Sequence, residues 1–324
     1  MYDVIGDIHG HADALRRLLL RLGYVEGADG FRHPGRTAVF LGDFIDRGPA
    51  IRQVLATVRP MVASGAALAV MGNHEFNAIS FHTAHPTVVP GWLRERSLRH
   101  IRQYLETIRQ IPTDAELEDH IAWFTTLPLR LELDGLRIVH ACWDEPAFAV
   151  IDAAARDTGG VNAVFFARAT ETDDALFDAV ESVLKGPEAA LPPDTAFLDS
   201  DGQRRRHARV RWYLADAARR PWRQAVFAFD ERIVAALPDT PMDAATAAVA
   251  TRPYPADAPP VLFGHYWMPG DAPSAPLAPN VACLDTSVAA RGGRLTAYRW
   301  DGEAVLDAGH FVSEPARAGA SLRG

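Results

Sequence analysis

Cysteine is nearly absent from this chain, with only Cys142 and Cys283 in 324 residues. Two thiols form no disulfide framework, and they cannot supply the thiolate set of a structural zinc site. Long apolar runs are missing too: nothing approaches the ~18 uncharged residues of a membrane span. Lysine occurs once, as Lys185, so almost all 33 basic residues are arginine. With the many alanines and prolines, that reads as compositional bias. Acids number 41, for a net charge of −8, which argues against broad, sequence-independent nucleic-acid binding. Strand-forming residues begin at Tyr2, which leaves no room for a signal peptide, so a cytoplasmic location is expected.

The chain does contain a repeated local grammar. Four apolar runs end in glycine followed by a potential metal ligand: YDVIGDIHG (2–10), AVFLGDFIDRG (38–48), LAVMGNHE (68–75) and VLFGHY (261–266). A fifth run, RIVHAC (137–142), ends in His140 without the glycine. Each reads as a buried strand, a tight turn and a side chain presented at the strand's carboxyl end. Together they offer Asp7, His9, Asp43, Asn73, His140 and His265 as one metal site, and mixed carboxylate, amide and imidazole ligands suit Mn, Fe or Zn.

Asp7 and His9, two apart in an extended segment, share a face. Asp43 can bridge two metals through its two oxygens, with Asn73, His140 and His265 completing the second. Two cations ~3.5–4 Å apart clamp the attacking and leaving oxygens of an in-line phosphoryl displacement and turn a bound water into the nucleophile. No protein nucleophile is then required. His74, one residue past a ligand, is placed as a general acid, with Asp46 as its orienting carboxylate. Arg47 supplies a planar fork for phosphate oxygens; Arg47 and Asn73 are the substrate-binding candidates.

Along the chain, strands at Tyr2–Ile5, 37–41 and 67–71 alternate with helices at Ala12–Leu22 and 49–62, which implies a parallel sheet whose carboxyl ends converge on one crevice. A hairpin is expected across Asp134-Gly135, and C-terminal strands at 281–284, Arg294–Trp300 and 304–306. Helical insertions are expected at about 82–127 and 144–251, within a single domain over 1–312 that ends in a frayed tail at 313–324.

GDIHG, GDFIDRG, GNHE, the histidine of RIVHAC and the histidine of FGHY stand in the order of the calcineurin-like metallophosphoesterases, which the chain resembles over residues 2–81, 129–145 and 260–301. GDFIDRG is similar to the GDxxDRG block of the phosphoprotein phosphatase branch. CLDTSVAARGGRLTAYRW resembles the closing segment of bacterial members, symmetrical diadenosine tetraphosphatases among them.

The resemblance implies an α/β fold, a four-layer αββα sandwich with helical insertions. It also implies a dinuclear centre, with Mn as the expected metal and Fe or Zn as alternatives. The first metal takes Asp7, His9 and Asp43. The second takes Asp43, Asn73, His140 and His265. His74 with Asp46 forms the acid pair, and Arg47 binds phosphate. The expected enzyme is a phosphoesterase in which a metal-bound hydroxide attacks a phosphomonoester, on a protein or a small molecule. The alternative is hydrolysis of diadenosine tetraphosphate. A non-enzymatic regulator and an RNA-end phosphatase rank below both, and no membrane partner is expected. Three segments depart from the branch: Ala141-Cys142 after His140, Tyr-Trp-Met after His265, and Asp285-Thr-Ser.

Several residues carry a plainer reading. His11 begins a helix, Cys142 is a buried inert thiol, and Glu75 is either a partner of the ligands or a favourable first-turn charge. The eight arginines of Arg204–Arg223 read as a solvated helix face rather than an anion site. Trp92, Trp212 and Trp222 read as core. Trp267, two residues past His265, is the tryptophan placed to stack a base.

Overall fold

The structure is a computed structural model that describes residues 1–316 other than 29, 112, 194, 199–203 and 273. Ten strands build two sheets. The first contains β1 (Tyr2–Ile5), β2 (Thr37–Phe40) and β3 (Ala67–Ala69). The second contains β4 (Arg130–Leu133), β5 (Leu136–Val139), β6 (Val261–Phe263) and β7 (Val281–Cys283). The chain then returns to the first sheet with β8 (Asp285–Thr286), β9 (Arg294–Trp300) and β10 (Phe311–Pro315). The orders are β8-β9-β1-β2-β3, with β10 also on β9, and β7-β6-β5-β4. β1, β2 and β3 run parallel, as do β5, β6 and β7. The hairpin turns where expected, with Leu133 opposite Leu136 and Gly135 at φ 80.

Side-chain alternation explains the layers. Val4, Val39, Leu262, Ala282, Ile138 and Tyr298 form an apolar layer between the two sheets. Their neighbours Ile5, Ala38, Phe40, Val261 and Phe263 face outward into a second apolar cluster. A strand buried on both faces reads as a continuous apolar run, which is why these segments showed no alternation in the sequence.

Helices α1 (Ala12–Leu22) and α2 (Ile51–Ala63) cover the outer face of the first sheet. On α1, Leu15, Leu18, Leu19 and Leu22 are buried, each contributing about 1.5–3 kcal/mol. Pro49 precedes α2 instead of opening it, because Ala50 is the N-cap. α3 (Asn73–His82) starts at a ligand candidate, and α4 (Leu98–Gln110) and α5 (Asp114–Phe124) follow it. α6 (Glu145–Asp157), α7 (Ala163–Arg168) and α8 (Ala175–Lys185) carry buried side chains into the same cluster as Val139, Val261 and Phe263. The fold is therefore an α/β four-layer sandwich of the calcineurin-like metallophosphoesterase type. Residues 145–185, expected as part of a helical insertion, form its fourth layer.

Two further expectations change. Residues 188–250 hold short strands as well as helices, around their own core of Val210, Trp222, Val226 and Met242. Residues 304–306 form no strand; Leu306 instead drops into the inter-sheet layer. The extra strand is β10, and it includes residues expected to fray. Glu314 is held by Arg17 (3.3 Å) and Arg21 (3.2 Å) of α1, and the Ser313 and Thr296 hydroxyls hydrogen-bond at 2.8 Å. The two arginines lie almost 300 residues away in sequence, beyond the reach of local reading. Residues 317–324 lie outside the described residues. No helix among the described residues is long and apolar enough to cross a membrane.

Candidate metal centre

The candidate ligands follow the carboxyl ends of parallel strands from both sheets. Asp7 and His9 follow β1, Asp43 follows β2, Asn73 follows β3, His140 follows β5 and His265 follows β6. All six are buried. Presenting them there requires unusual backbone. His9 (φ 43), Asp43 (φ 52), Asp46 (φ 66), Arg47 (φ 66), His265 (φ 72) and Trp267 (φ 52) are left-handed. For a non-glycine residue this conformation costs roughly 1–2 kcal/mol, and such strain gathers at functional sites. The glycines allow close approach. A Cβ on Gly264 would stand 2.0 Å from Asp7 Oδ1, and Gly42 combines φ +89 with a Cβ position 2.3 Å from the Gly72 nitrogen.

Asp43 sits at the centre. Its Oδ2 is 3.5 Å from His9 Nε2, and its Oδ1 is 3.5 Å from His140 Nε2. Asn73 Oδ1 lies 3.1 Å from His140 Nε2 and 2.7 Å from His265 Nδ1. Donor atoms around one ion at ~2.0–2.2 Å stand about 3 Å apart, so these separations suit shared coordination. Two sets of donor atoms each lie within 4.8 Å of one another: His9, Asp43 and His74, and Asp43, His140 and His265. Asp43 is common to both. Asp7 enters from the side, with Oδ2 accepting the His265 N–H at 3.0 Å and Oδ1 buried without a partner. His9 Nε2 and His265 Nε2 are also buried without a partner.

The imidazoles are oriented from behind. His9 Nδ1 donates to the Ile45 carbonyl (3.0 Å) and His140 Nδ1 to the Leu41 carbonyl (2.6 Å), which turns each Nε2 inward as a ligand atom. Burial alone would keep His140 neutral, yet Asp43 and Asp7 hold its pKa up at about 10. Burial works the same way against the Asp43 carboxylate, and His140, His74 and His9 outweigh it, holding Asp43 well below the usual carboxylate range. Asp7 is pushed up by burial and by Asp285. The pocket thus concentrates negative charge where His140 would otherwise hold a proton, and a divalent cation would take that proton's place. Orphaned donors and surplus charge together fit metal.

Beside the ligands, His74 Nδ1 and Asp46 Oδ2 are 2.5 Å apart, and His74 Nε2 faces Asp43 Oδ2 at 3.9 Å. The Arg47 guanidinium carbon lies over Trp267, 4.2 Å from the ring centroid. Trp212 and Trp222 are core as read, but Trp92 is not: it is exposed and packs against Arg96 at the surface.

The sequence reading missed or left open the residues that brace this site. Glu75 is fully buried and accepts from the backbone N–H groups of Asp43 (2.8 Å), Phe44 (2.9 Å) and Gly72 (3.0 Å). Asp285 accepts from the Trp267 and Ser287 N–H groups (2.8 and 2.9 Å) and so shapes the His265–Trp267 loop. Thr107 of α4 accepts the Asp46 N–H (3.1 Å) through its hydroxyl, which in turn donates to Asp46 Oδ1. Gln110 accepts from the Ile51 N–H and donates to the Gly48 carbonyl. The first insertion is therefore a brace for the GDFIDRG loop. The glycine of GNHE signalled Glu75 weakly, and the apolar run 281–284 signalled Asp285 weakly without one; nothing local signalled Thr107 or Gln110.

The site floors a cavity of about 1300 Å³ whose walls are α3–α4 on one side and residues 177–252 on the other. The Arg204–Arg223 stretch forms short strands and turns, not the expected helix face, and Arg205 and Arg209 line this cavity.

Residues 2–153 of the chain match the family of the calcineurin-like phosphoesterases. His265 lies beyond the matched span. The chain is 37% identical over 131 residues to the asymmetrical bis(5'-nucleosyl)-tetraphosphatase of Anoxybacillus flavithermus, a match covering 37% of this chain and 54% of that protein. It is 28% identical over 137 residues to the symmetrical bis(5'-nucleosyl)-tetraphosphatase of Aromatoleum aromaticum, covering 42% of each. It thus spans about half the length of these relatives. A protein serine/threonine phosphatase of known structure from Saccharomyces cerevisiae is 14% identical, covering 99% of this chain and 82% of that one, with a TM-score of 0.48.

Proposed function

We propose that the protein is a dinuclear metal-dependent phosphoesterase that hydrolyses a dinucleoside polyphosphate. The observation that carries this reading is the juxtaposition of the shared Asp43 site with a cavity of about 1300 Å³. A phosphate monoester alone needs far less room. The tetraphosphatase names of the relatives favour the same substrate class and reverse the order in which the sequence ranked monoester and dinucleotide.

Asp7, His9 and Asp43 would hold one ion, and Asp43, Asn73, His140 and His265 the other. When bound, such a pair neutralises phosphoryl oxygens and activates a water. The remaining steps belong to the chain. Arg47, seated over Trp267, pairs with non-bridging phosphate oxygens. His74 presents Nε2 to the floor while Asp46 accepts from its Nδ1 and stabilises the imidazolium. A proton on Nε2 is then available to the departing oxygen. Thr107 keeps Asp46 from rotating away.

Turnover by Mn-loaded protein tests the reading, with diadenosine tetraphosphate, p-nitrophenyl phosphate and a phosphoserine peptide compared in parallel. The expected result is a kcat/KM for the dinucleotide well above both monoesters, and the nucleotides released report which bond breaks. Monoesters turned over far faster would return the protein to the phosphomonoesterase reading, which the GDFIDRG block favours.

A further inference from the structure

The cavity's basic residues differ sharply in how they are engaged. On the side of residues 177–252, Lys185 pairs with Glu181, Arg252 Nε with Asp144 Oδ2 at 2.7 Å, and Arg209 Nε faces Glu188 Oε1 at 3.9 Å. Arg205 is engaged as well. On the α4 side, Arg94 reaches only neutral amides, Asn77 and Gln103, and makes no ion pair. Arg99 and Arg102 make neither a hydrogen bond nor an ion pair among the described residues, and both line the cavity. They are three apart on α4 and so share one helix face. Tyr104, from the next turn, is 5% exposed, lines the same wall and has an unpartnered hydroxyl.

Two neighbouring guanidiniums without a paired carboxylate, beside a third that only feels Glu181 and Asp46 without an ion pair, are unexpected in a chain of net charge −8. Burial lowers the pKa of Arg94 against the charge of Glu181, and the nearby charge of Arg99 works in the same direction as burial. Asp46 is among the groups that act electrostatically on Arg94, so this wall begins beside the acid pair. Cations held close together and unneutralised form a site for an anion of several charges.

We propose that the α4 wall is a second anion subsite, in which Arg94, Arg99 and Arg102 take the phosphates beyond the one being cleaved. The subsite rests on the polyphosphate reading above, and it assigns the distal phosphates to α4 instead of to the Arg204–Arg223 stretch. A polyphosphate would run from the floor past Arg47 and up this wall, with the Tyr104 hydroxyl as a further donor.

Binding of inorganic tripolyphosphate to dialysed, metal-free full-length protein, measured by calorimetry, tests the subsite without turnover. The variants are R99Q/R102Q and, on the opposite wall, R205Q. At least about a tenfold loss of affinity is expected for R99Q/R102Q, with R205Q within about twofold of wild type. In turnover, R99Q/R102Q is expected to lose more kcat/KM on diadenosine tetraphosphate than on p-nitrophenyl phosphate, again by about tenfold. Unchanged tripolyphosphate affinity in R99Q/R102Q, or a larger loss in R205Q, would overturn the subsite, as would equal losses on the two substrates. If no phosphoester is turned over and R99Q/R102Q still weakens tripolyphosphate binding, the subsite stands and the hydrolase reading falls. Unchanged circular dichroism for each variant keeps misfolding from imitating either result.

Discussion

The two walls of the cavity are both rich in arginine, and they use it differently. The wall from residues 177–252 sets carboxylates beside Lys185, Arg209 and Arg252, namely Glu181, Glu188 and Asp144. The α4 wall leaves Arg99 and Arg102 unengaged while its buried face grips the catalytic loop through Thr107 and Gln110. Counting basic residues alone would favour the other wall, since eight arginines lie in Arg204–Arg223. What distinguishes a binding surface from a salt-bridged one is the absence of a local counter-charge.

The comparison depends first on a floor that both walls share. Asp43→Asn removes a charge from both donor sets, so turnover of every phosphoester is expected to fall by about a thousandfold or more. Chelation should do the same and be reversed by added metal. Retained activity in Asp43→Asn would remove the floor from the account.

A smaller effect is expected one step up, where the α4 side meets the chemistry. His74→Asn and Asp46→Asn should each lower kcat by about 10²–10⁴. The loss should be greatest for substrates with poor leaving groups, because those need the proton most. Equal losses on p-nitrophenyl phosphate and an alkyl phosphate would place the pair outside proton transfer.

Thr107→Val sharpens the comparison further, since it alters only the brace. It strands a buried N–H and a carboxylate oxygen, and a stability loss of about 1–3 kcal/mol is expected in denaturant titration. Turnover should fall about tenfold, with Thr107→Ser restoring both. Without recovery by serine, the hydroxyl would not be the holding group.

The smallest effect concerns how the α4 wall is packed. His82 lies against Tyr104, with ring centroids 5.5 Å apart, and its Nε2 has no partner. Burial first, and Arg96 second, lower its pKa from 6.5 to about 4. The unfolded chain therefore binds a proton that the folded chain refuses between these values. The contribution to stability is whole above pH 6.5 and is lost as pH falls towards 4. His82→Asn should flatten the Tm–pH curve in that window, and parallel curves would exclude His82 as the titrating group.

Much of the floor was legible because its ligands are local. Each follows its own strand by a few residues, so a run, a turn and a side chain appear together in the text of the chain. β1, α1 and β9 fall on the stretches expected of them for the same reason. The braces were not legible: Thr107 lies 61 residues from Asp46 and Gln110 lies 62 from Gly48, and only folding joins them. The division of the strands between two sheets was hidden by burial on both faces and came only from the family resemblance. The pairing of each arginine depends on acids that are distant in sequence or brought close by a turn. The expected helix face at Arg204–Arg223 and the frayed residues 313–315 were misread on that account.

The central claim is a pair of ions bridged by Asp43. Anomalous diffraction from crystals of the Mn-loaded protein tests it most directly. The account predicts two peaks flanking the Asp43 carboxylate, one beside His9 and one between His140 and His265. A single peak, or two that do not share Asp43, would contradict it.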